Sequence, residues 1–250
     1  MRGYDEQSYG EGFADVYDDW YPDVSDVGAT VARMVSLAGP TGHVLELGVG
    51  TGRLALPMAV AGLAVTGIDS SPAMLAKLAE RDRSGAVEVV CGDMVDALPD
   101  GPFDAALVAY NTIFNLLDES TQQHCFTAVA DRLVPGGAFV VEAFVPDAST
   151  PAATPTDVSV RSLAADRVVL SITVHAPEDQ RADGQFVEFT ESGGVRLRPW
   201  SIRWATPEQL DAMAAAAGMT LAERWEDMTM TPFDDDSSTH VSVYVTSDRR

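Results

Sequence analysis

Over the first 145 residues the apolar positions fall in short continuous runs, with helical patterns between them. Residues 43–47 form one run, which breaks at Gly48, Gly50 and Gly52 before a helical pattern begins. A second run over 63–68 ends on Asp69, so a strand, a Gly-rich turn, a helix and a strand fit within the roughly 30 residues of a βαβ unit. Ser70-Ser71-Pro72 then reads as a helix start, with a serine cap and proline in the first turn. Residues 86–91 make a third strand leading into Gly92-Asp93-Met94. Residues 103–109 make a fourth, apolar throughout, as suits the middle of a parallel sheet. A helix over 119–133, a Pro135-Gly136-Gly137 turn and a fifth strand over 138–145 follow.

From Pro146 the period changes. Residues 157–162, 167–175, 184–191 and 194–204 alternate or run β-rich between Asp-, Gly- and Pro-containing turns. Helical register returns at Thr206-Pro207-Glu208, and residues 219–225 and 240–246 read as a closing antiparallel pair. The pattern predicts an α/β chain: a Rossmann-like, seven-stranded, mostly parallel sheet with helices on both faces and a small antiparallel insertion after the fifth strand. Upstream, residues 1–12 are polar and Gly-containing, and are expected to be poorly ordered without a ligand. In FADVYDDWY, Phe13, Tyr17, Trp20 and Tyr21 can share one helical face, either as a flap on the core or as a lid over a ligand. Residues 24–37 read as the first full helix.

The chain's 250 residues suit one α/β domain with an insertion. Its formal net charge is −22, a surface that repels phosphate backbones and anionic membranes, which argues against nucleic-acid and membrane partners. Cys91 and Cys125 lack metal-type spacing and read as reduced core residues. The N-terminus has no charged-then-apolar signal and no apolar run reaches the length of a membrane span, so a cytoplasmic protein is expected.

The first turn carries the chemistry. Its glycines let a ligand approach the backbone, and an acid about 20 residues on, at the tip of the next strand, can accept from a ribose diol. That pair predicts a nucleoside-containing cofactor. A dinucleotide motif would place a third glycine where Arg53 stands, and Glu46 would oppose a pyrophosphate but welcome a cationic amine. Glu46-x-Gly48-x-Gly50-x-Gly52 resembles motif I of the class I S-adenosylmethionine-dependent methyltransferases, whose usual form is (D/E)-x-G-x-G-x-G. Gly92-Asp93-Met94 and the run LVPGGAFVVE are similar to further features of that family.

The resemblance implies S-adenosyl-L-methionine as cofactor, held by Glu46, Gly48, Val49, Gly50, Asp69, Ser70, Met74, Asp93, Met94 and Tyr110, with Tyr17 reaching its methionine part. The overall layout is similar to aminosugar N-methyltransferases of natural-product pathways, although Asn115 stands where those enzymes place an acceptor-facing histidine. On this reading residues 1–145 and 205–250 form the cofactor-binding domain, and 146–204 a sheet that covers the site of a small-molecule methyl acceptor. Trp20, Tyr21, Asn111, Phe114 and His175 are the acceptor-side candidates, and Glu142, Tyr17 and Asn115 the catalytic ones. Nitrogen or oxygen is the expected target. Cyclisation or elimination chemistry, a regulator without turnover, an NAD-dependent oxidoreductase and a homodimer built by the inserted sheet stay open.

Overall fold

The computed structural model describes residues 1–22, 24–146 and 156–247. The first residues of the inserted stretch, 147–155, and the last three of the chain lie outside the described residues. Five strands come first: β1 (His43–Leu47), β2 (Ala64–Asp69), β3 (Val87–Cys91), β4 (Phe103–Val108) and β5 (Leu133–Phe144). Next come β6 (Thr156–Leu163), β7 (Arg167–Ala176), β8 (Arg181–Thr190) and β9 (Gly194–Arg203), then β10 (Met219–Trp225) and β11 (Thr239–Thr246). The helices are α1 (Ser8–Phe13), α2 (Tyr17–Trp20), α3 (Val27–Ala38), α4 (Ala55–Val60), α5 (Pro72–Arg81), α6 (Glu119–Ala130) and α7 (Pro207–Ala216).

Seven strands form one sheet in the order β3-β2-β1-β4-β5-β11-β10, and β6 to β9 form a separate four-stranded meander. The first five strands of the larger sheet are parallel, and β11 runs antiparallel to both β5 and β10. Strand order reverses between β1 and β4, which opens a crevice at their carboxyl ends. Phe126, Val129, Leu210 and Met213 of α6 and α7 fill one face of this sheet. Met34, Ala55, Met58 and Leu78 of α3, α4 and α5 fill the other.

Local chemistry sets the helix starts. Asp26 caps α3 by accepting from Ala29 N–H at 2.9 Å, Ser71 caps α5 ahead of Pro72, and Thr206 with Gln209 forms a reciprocal capping box on α7. None of the described helices is long and apolar enough to cross a membrane.

Three expectations need correction. Pro135-Gly136-Gly137 is a bulge inside β5, where the pairing with β4 jumps from Phe103↔Leu133 to Ala105↔Ala138. Cys91 is exposed because β3 is an edge strand, while Cys125 is buried. The N-terminal residues are structured, because tertiary contacts supply what their composition lacks. Glu11 accepts from Ser71 Oγ at 2.9 Å and Ala73 N–H at 3.0 Å, Ser70 Oγ donates to the Glu6 carbonyl at 2.7 Å, and Phe13 is fully buried.

The four aromatics of the N-terminal segment are split between α1 and α2, and still meet: Phe13 and Trp20 each pack edge-on against Phe186 of β8. Arg198 of β9 locks this contact. Almost wholly buried, it donates to Glu188 (2.7 Å), Asp15 (2.6 and 3.1 Å) and the Gly12 carbonyl (2.6 Å).

Replacing Arg198 by Ala leaves Glu188 buried with only a 3.4 Å contact to Arg167. Urea denaturation is expected to show a loss of about 3 kcal/mol or more, the usual penalty for one orphaned partner of a buried pair. Asp15→Ala, at the exposed end of the cluster, should cost about 1 kcal/mol or less.

Candidate active site

The turn after β1 is built to leave space. Gly48 and Val49 N–H donate to the Ile68 carbonyl, which folds the loop back onto β2. Gly48 has φ +69°, and a Cβ there would lie 2.4 Å from Thr112 Cγ2, so only glycine fits. Val49 packs where a side chain at Gly67 would be. Asp69 accepts from Gly50 N–H and Ser71 N–H, each at 2.9 Å, which ties the end of β2 to the glycine turn and to the start of α5. Burial raises the Asp69 carboxyl above its ordinary value, and those two bonds pull it back.

A cavity of about 320 Å³ lies over this turn. Gly48, Gly50, Asp69, Ser70, Met74, Asp93 and Met94 line it from the sheet side, with Tyr4, Tyr9 and Gly10 on the lid side. Asp93 uses one carboxylate oxygen to hold Val95 and Asp96 N–H, which fixes its direction. A second chamber of about 210 Å³ adjoins the first. Its walls are Tyr21, Tyr110, Asn111 and Phe144, with Phe186, Trp200 and Ile202 from the inserted sheet. Tyr9, Tyr17, Thr112 and Asn115 line both spaces, so the two open onto each other there.

A small polar cleft beside that junction holds Glu46 and Arg53. Glu46 Oε2 and the Arg53 Nε and Nη1 atoms are buried without a hydrogen-bond partner. Desolvation pushes the Glu46 carboxyl up to about 8, against the pull of Arg53 and with a push from Asp69. Desolvation likewise pushes the Tyr17 phenol up to about 12, and Arg53 pulls the other way.

The other residues singled out from the sequence fall at graded distances from these spaces. Glu142 on β5 accepts from Tyr110 N–H at 3.0 Å and lines neither chamber; burial raises its carboxyl. Tyr110 (φ 46°) and Asn111 (φ 66°) are left-handed, a strained pair that Glu142 and the Asn111 Oδ1 bond from Phe144 N–H (2.7 Å) keep in place. Phe114 is fully buried against Phe144, and Trp20 packs behind Phe186. His175 lies on β7 opposite Ala182, on neither chamber wall.

Sequence reasoning missed Tyr9, Arg53, Phe186 and Trp200. Tyr9, Phe13 and Tyr17 recur every four residues, a signal that was available. The others are placed by chain crossings that no local pattern encodes. Arg161 of β6 stacks over Trp20, Tyr21 and Phe186 at 4.8, 5.1 and 4.8 Å, pinning the lid to the inserted sheet.

Residues 44–137 match the family described as a methyltransferase domain. The structure of the CcbJ methyltransferase from Streptomyces caelestis is 37% identical, covers 98% of this chain and 100% of that one, and superposes with a TM-score of 0.88. The cypemycin N-terminal methyltransferase of a Streptomyces species is 29% identical over 70% of this chain and 71% of its own length. The sugar N-methyltransferase KedS8 from Streptoalloteichus shares the fold at 20% identity, with a TM-score of 0.68 over 99% of both chains.

The chain belongs to the S-adenosylmethionine-dependent methyltransferases. Its cofactor is S-adenosyl-L-methionine, and the turn fits that molecule: a cradle that a Cβ would fill, buried carboxylates where cationic and hydroxyl groups need acceptors, and an unsatisfied guanidinium for a carboxylate.

The raised Glu46 carboxyl makes a pH-dependent prediction. The cofactor-free protein keeps a proton there that the unfolded chain loses near 4.5. Its stabilising contribution is complete below that value and is lost as pH rises towards about 8. The melting temperature of the wild type relative to Glu46→Gln should therefore fall between pH 5 and 8, as read by scanning calorimetry.

Proposed function

We propose that this methyltransferase methylates an amine nitrogen of a small natural-product acceptor. One observation carries the reading: the second chamber, which joins the cofactor cavity at Tyr9, Tyr17, Thr112 and Asn115, is walled by rings and neutral groups, with no carboxylate, histidine, lysine or arginine among the described residues that line it. An alcohol would need a base to become nucleophilic, and none of the described residues lining this chamber supplies a carboxylate or a histidine for it. A phenol would have to enter as an anion, against the π faces and a chain of net charge −22. An amine reaches the same space as a cation attracted by those faces, or as the neutral nucleophile itself. The name of the KedS8 enzyme specifies nitrogen, and that of the cypemycin enzyme an N-terminus, which bears an amine; both support the choice.

Bound S-adenosylmethionine supplies a methyl group already activated on a sulfonium. Asp69 takes the ribose hydroxyls, Asp93 and Met94 the adenine, Glu46 the ammonium and Arg53 the carboxylate. Ser70, Met74 and Val49 shape the walls. Tyr9 and Tyr17 exclude water at the junction and align the acceptor, while Asn115 and Asn111 offer neutral polar contacts. The amine gives up its proton to solvent before it is enclosed, so alignment provides the rate, an effect worth up to roughly 7–11 kcal/mol in well-oriented systems. In this reading residues 1–145 and 205–250 hold the cofactor, 146–204 roof the acceptor, and the enzyme works in the cytoplasm in a biosynthetic pathway.

A panel of small amines, phenols and alcohols incubated with S-adenosylmethionine tests this directly. The expected products are S-adenosylhomocysteine and an N-methylated acceptor, located by fragmentation mass spectrometry. Transfer to a hydroxyl, or release of methylthioadenosine, would overturn it. Tyr17→Ala should lower kcat/KM about 100-fold, the cost of misplacing the reactants by about 1 Å.

A further inference from the structure

Among the described residues, one cation beside the acceptor chamber lacks a counter-charge. The four-stranded sheet carries six arginines, and five of them meet carboxylates. Arg167 and Arg198 share Glu188, Arg196 and Arg198 share Asp15, Arg181 lies 4.0 Å from Asp183, and Arg203 lies 2.9 Å from Glu119. Arg161 meets no carboxylate among the described residues, in a chain with 38 acidic and 16 basic side chains. Its hydrogen bond there runs from Nη2 to the Trp20 carbonyl, at a long 3.3 Å.

A bulge aims this side chain. β6 is an edge strand, and its pairing with β7 jumps from Val160↔Leu170 to Ser162↔Val169, which leaves Arg161 as the extra residue. The guanidinium lies over Trp20, Tyr21 and Phe186, and the last two are walls of the acceptor chamber. Burial and the neighbouring Tyr21 raise the Tyr110 phenol, and Arg161 pulls it the other way, so its charge reaches that wall as well. Stacking uses the flat faces of the guanidinium and leaves its in-plane N–H edges open. Nη2 has a second N–H, so whichever one Trp20 takes, a two-donor edge with Nε or with Nη1 stays free. Pinning the lid accounts for the faces and leaves that edge without a use.

Resting on the amine reading of the site, we propose that Arg161 recognises a carboxylate on the acceptor. The substrate is then a zwitterion, with its amine at the junction of the two chambers and its carboxylate at the rim. A two-donor guanidinium edge matches the two oxygens of a carboxylate. The guanidinium lies 5.1 Å from the Tyr21 ring, and that ring lies 5.1 Å from the ring of Tyr17 at the junction. Two ring-to-ring steps separate the charges, so nitrogen and carboxylate stand several bonds apart and not on one carbon.

Charge selects a carboxylate over the alternatives. A bare ammonium would meet Arg161 as a like charge at the rim, and a carboxylate on the same molecule removes that repulsion. A phosphate or diphosphate carries more negative charge and would need several cations, but the other arginines of the sheet are already held by acids. One carboxylate matches one guanidinium. It also leaves the acceptor neutral overall, so a chain of net charge −22 does not repel it.

Titration calorimetry of the full chain saturated with S-adenosylhomocysteine, which cannot donate a methyl group, tests the assignment. The probes are 4-(aminomethyl)benzoate and 4-(aminomethyl)benzamide, which set an amine and a charged or neutral group across one ring. The wild type is expected to bind the benzoate about tenfold more tightly, the scale of hydrogen bonds to a charged group. Arg161→Gln should bring the two affinities together, and Arg161→Lys should restore part of the gap. A loosened lid would weaken both probes alike, so the ratio between them reports recognition alone. Three results overturn the proposal: a wild-type ratio under about threefold, the scale of an ordinary surface ion pair; binding of neither probe; or a gap that survives in Arg161→Gln. Because the ratio is read without methyl transfer, N-methylation of amines that lack a carboxylate, with no preference between the probes, would leave the amine reading standing and sink this one.

Discussion

Arg198 carries a full positive charge almost out of contact with water, and the enclosure of the reaction space depends on how that charge is satisfied. Burying an ion is costly unless its donors all find acceptors. Here the guanidinium fork reaches Glu188 on its own sheet, and Asp15 and the Gly12 carbonyl on the N-terminal segment. The acceptors on the N-terminal segment exist only while α1 and α2 lie against the inserted sheet. The charge-assisted hydrogen bonds to those acceptors, together with the ring contacts, therefore favour the closed lid, and Tyr9 and Tyr17 stand at the meeting of the two chambers. Arg161 adds a second, more exposed cation over the same rings.

The rest of the site follows from where a parallel sheet ends. Reversal of strand order between β1 and β4 leaves a crevice at their carboxyl ends, and the glycine turn keeps it open. On the β4 side the chain must turn sharply, which Tyr110 and Asn111 do with left-handed backbones. Glu142 and the Asn111 side chain hold that turn by bonding to backbone N–H groups. The floor is thus rigid, the roof is an independent sheet, and the wall between them is the lid. Such a three-sided enclosure suits methyl transfer, where alignment and exclusion of water supply most of what the protein must provide.

Among the described residues, buried carboxylates stand beside the glycine turn and none lines the second chamber. Glu46 and Asp69 keep raised carboxyls because desolvation outweighs the groups that favour their charge. In the proposed reading, a positively charged cofactor supplies the counter-charge they lack. Among the described residues no charged side chain lines the second chamber, and its walls are mainly ring faces.

The local chain determined the secondary-structure order, the antiparallel insertion and the cofactor turn. Glycine spacing, the acid closing β2 and the strand periods act over a few residues and read the same in any context. The same locality explains the Pro-Gly-Gly error: those residues look like a turn, yet pairing with β4 absorbs them as a bulge. Only the tertiary structure decided which residues wall the second chamber. Arg53 reads in sequence as a missing glycine, and its Nε and Nη1 become buried and unpartnered only once its turn packs on Tyr17 and Glu46. Phe186 and Trp200 belong to strands whose alternation shows two faces without saying which looks inward. That choice was made by Arg198 and the aromatic lid, through contacts more than 150 residues apart in sequence, a separation at which no local pattern carries information.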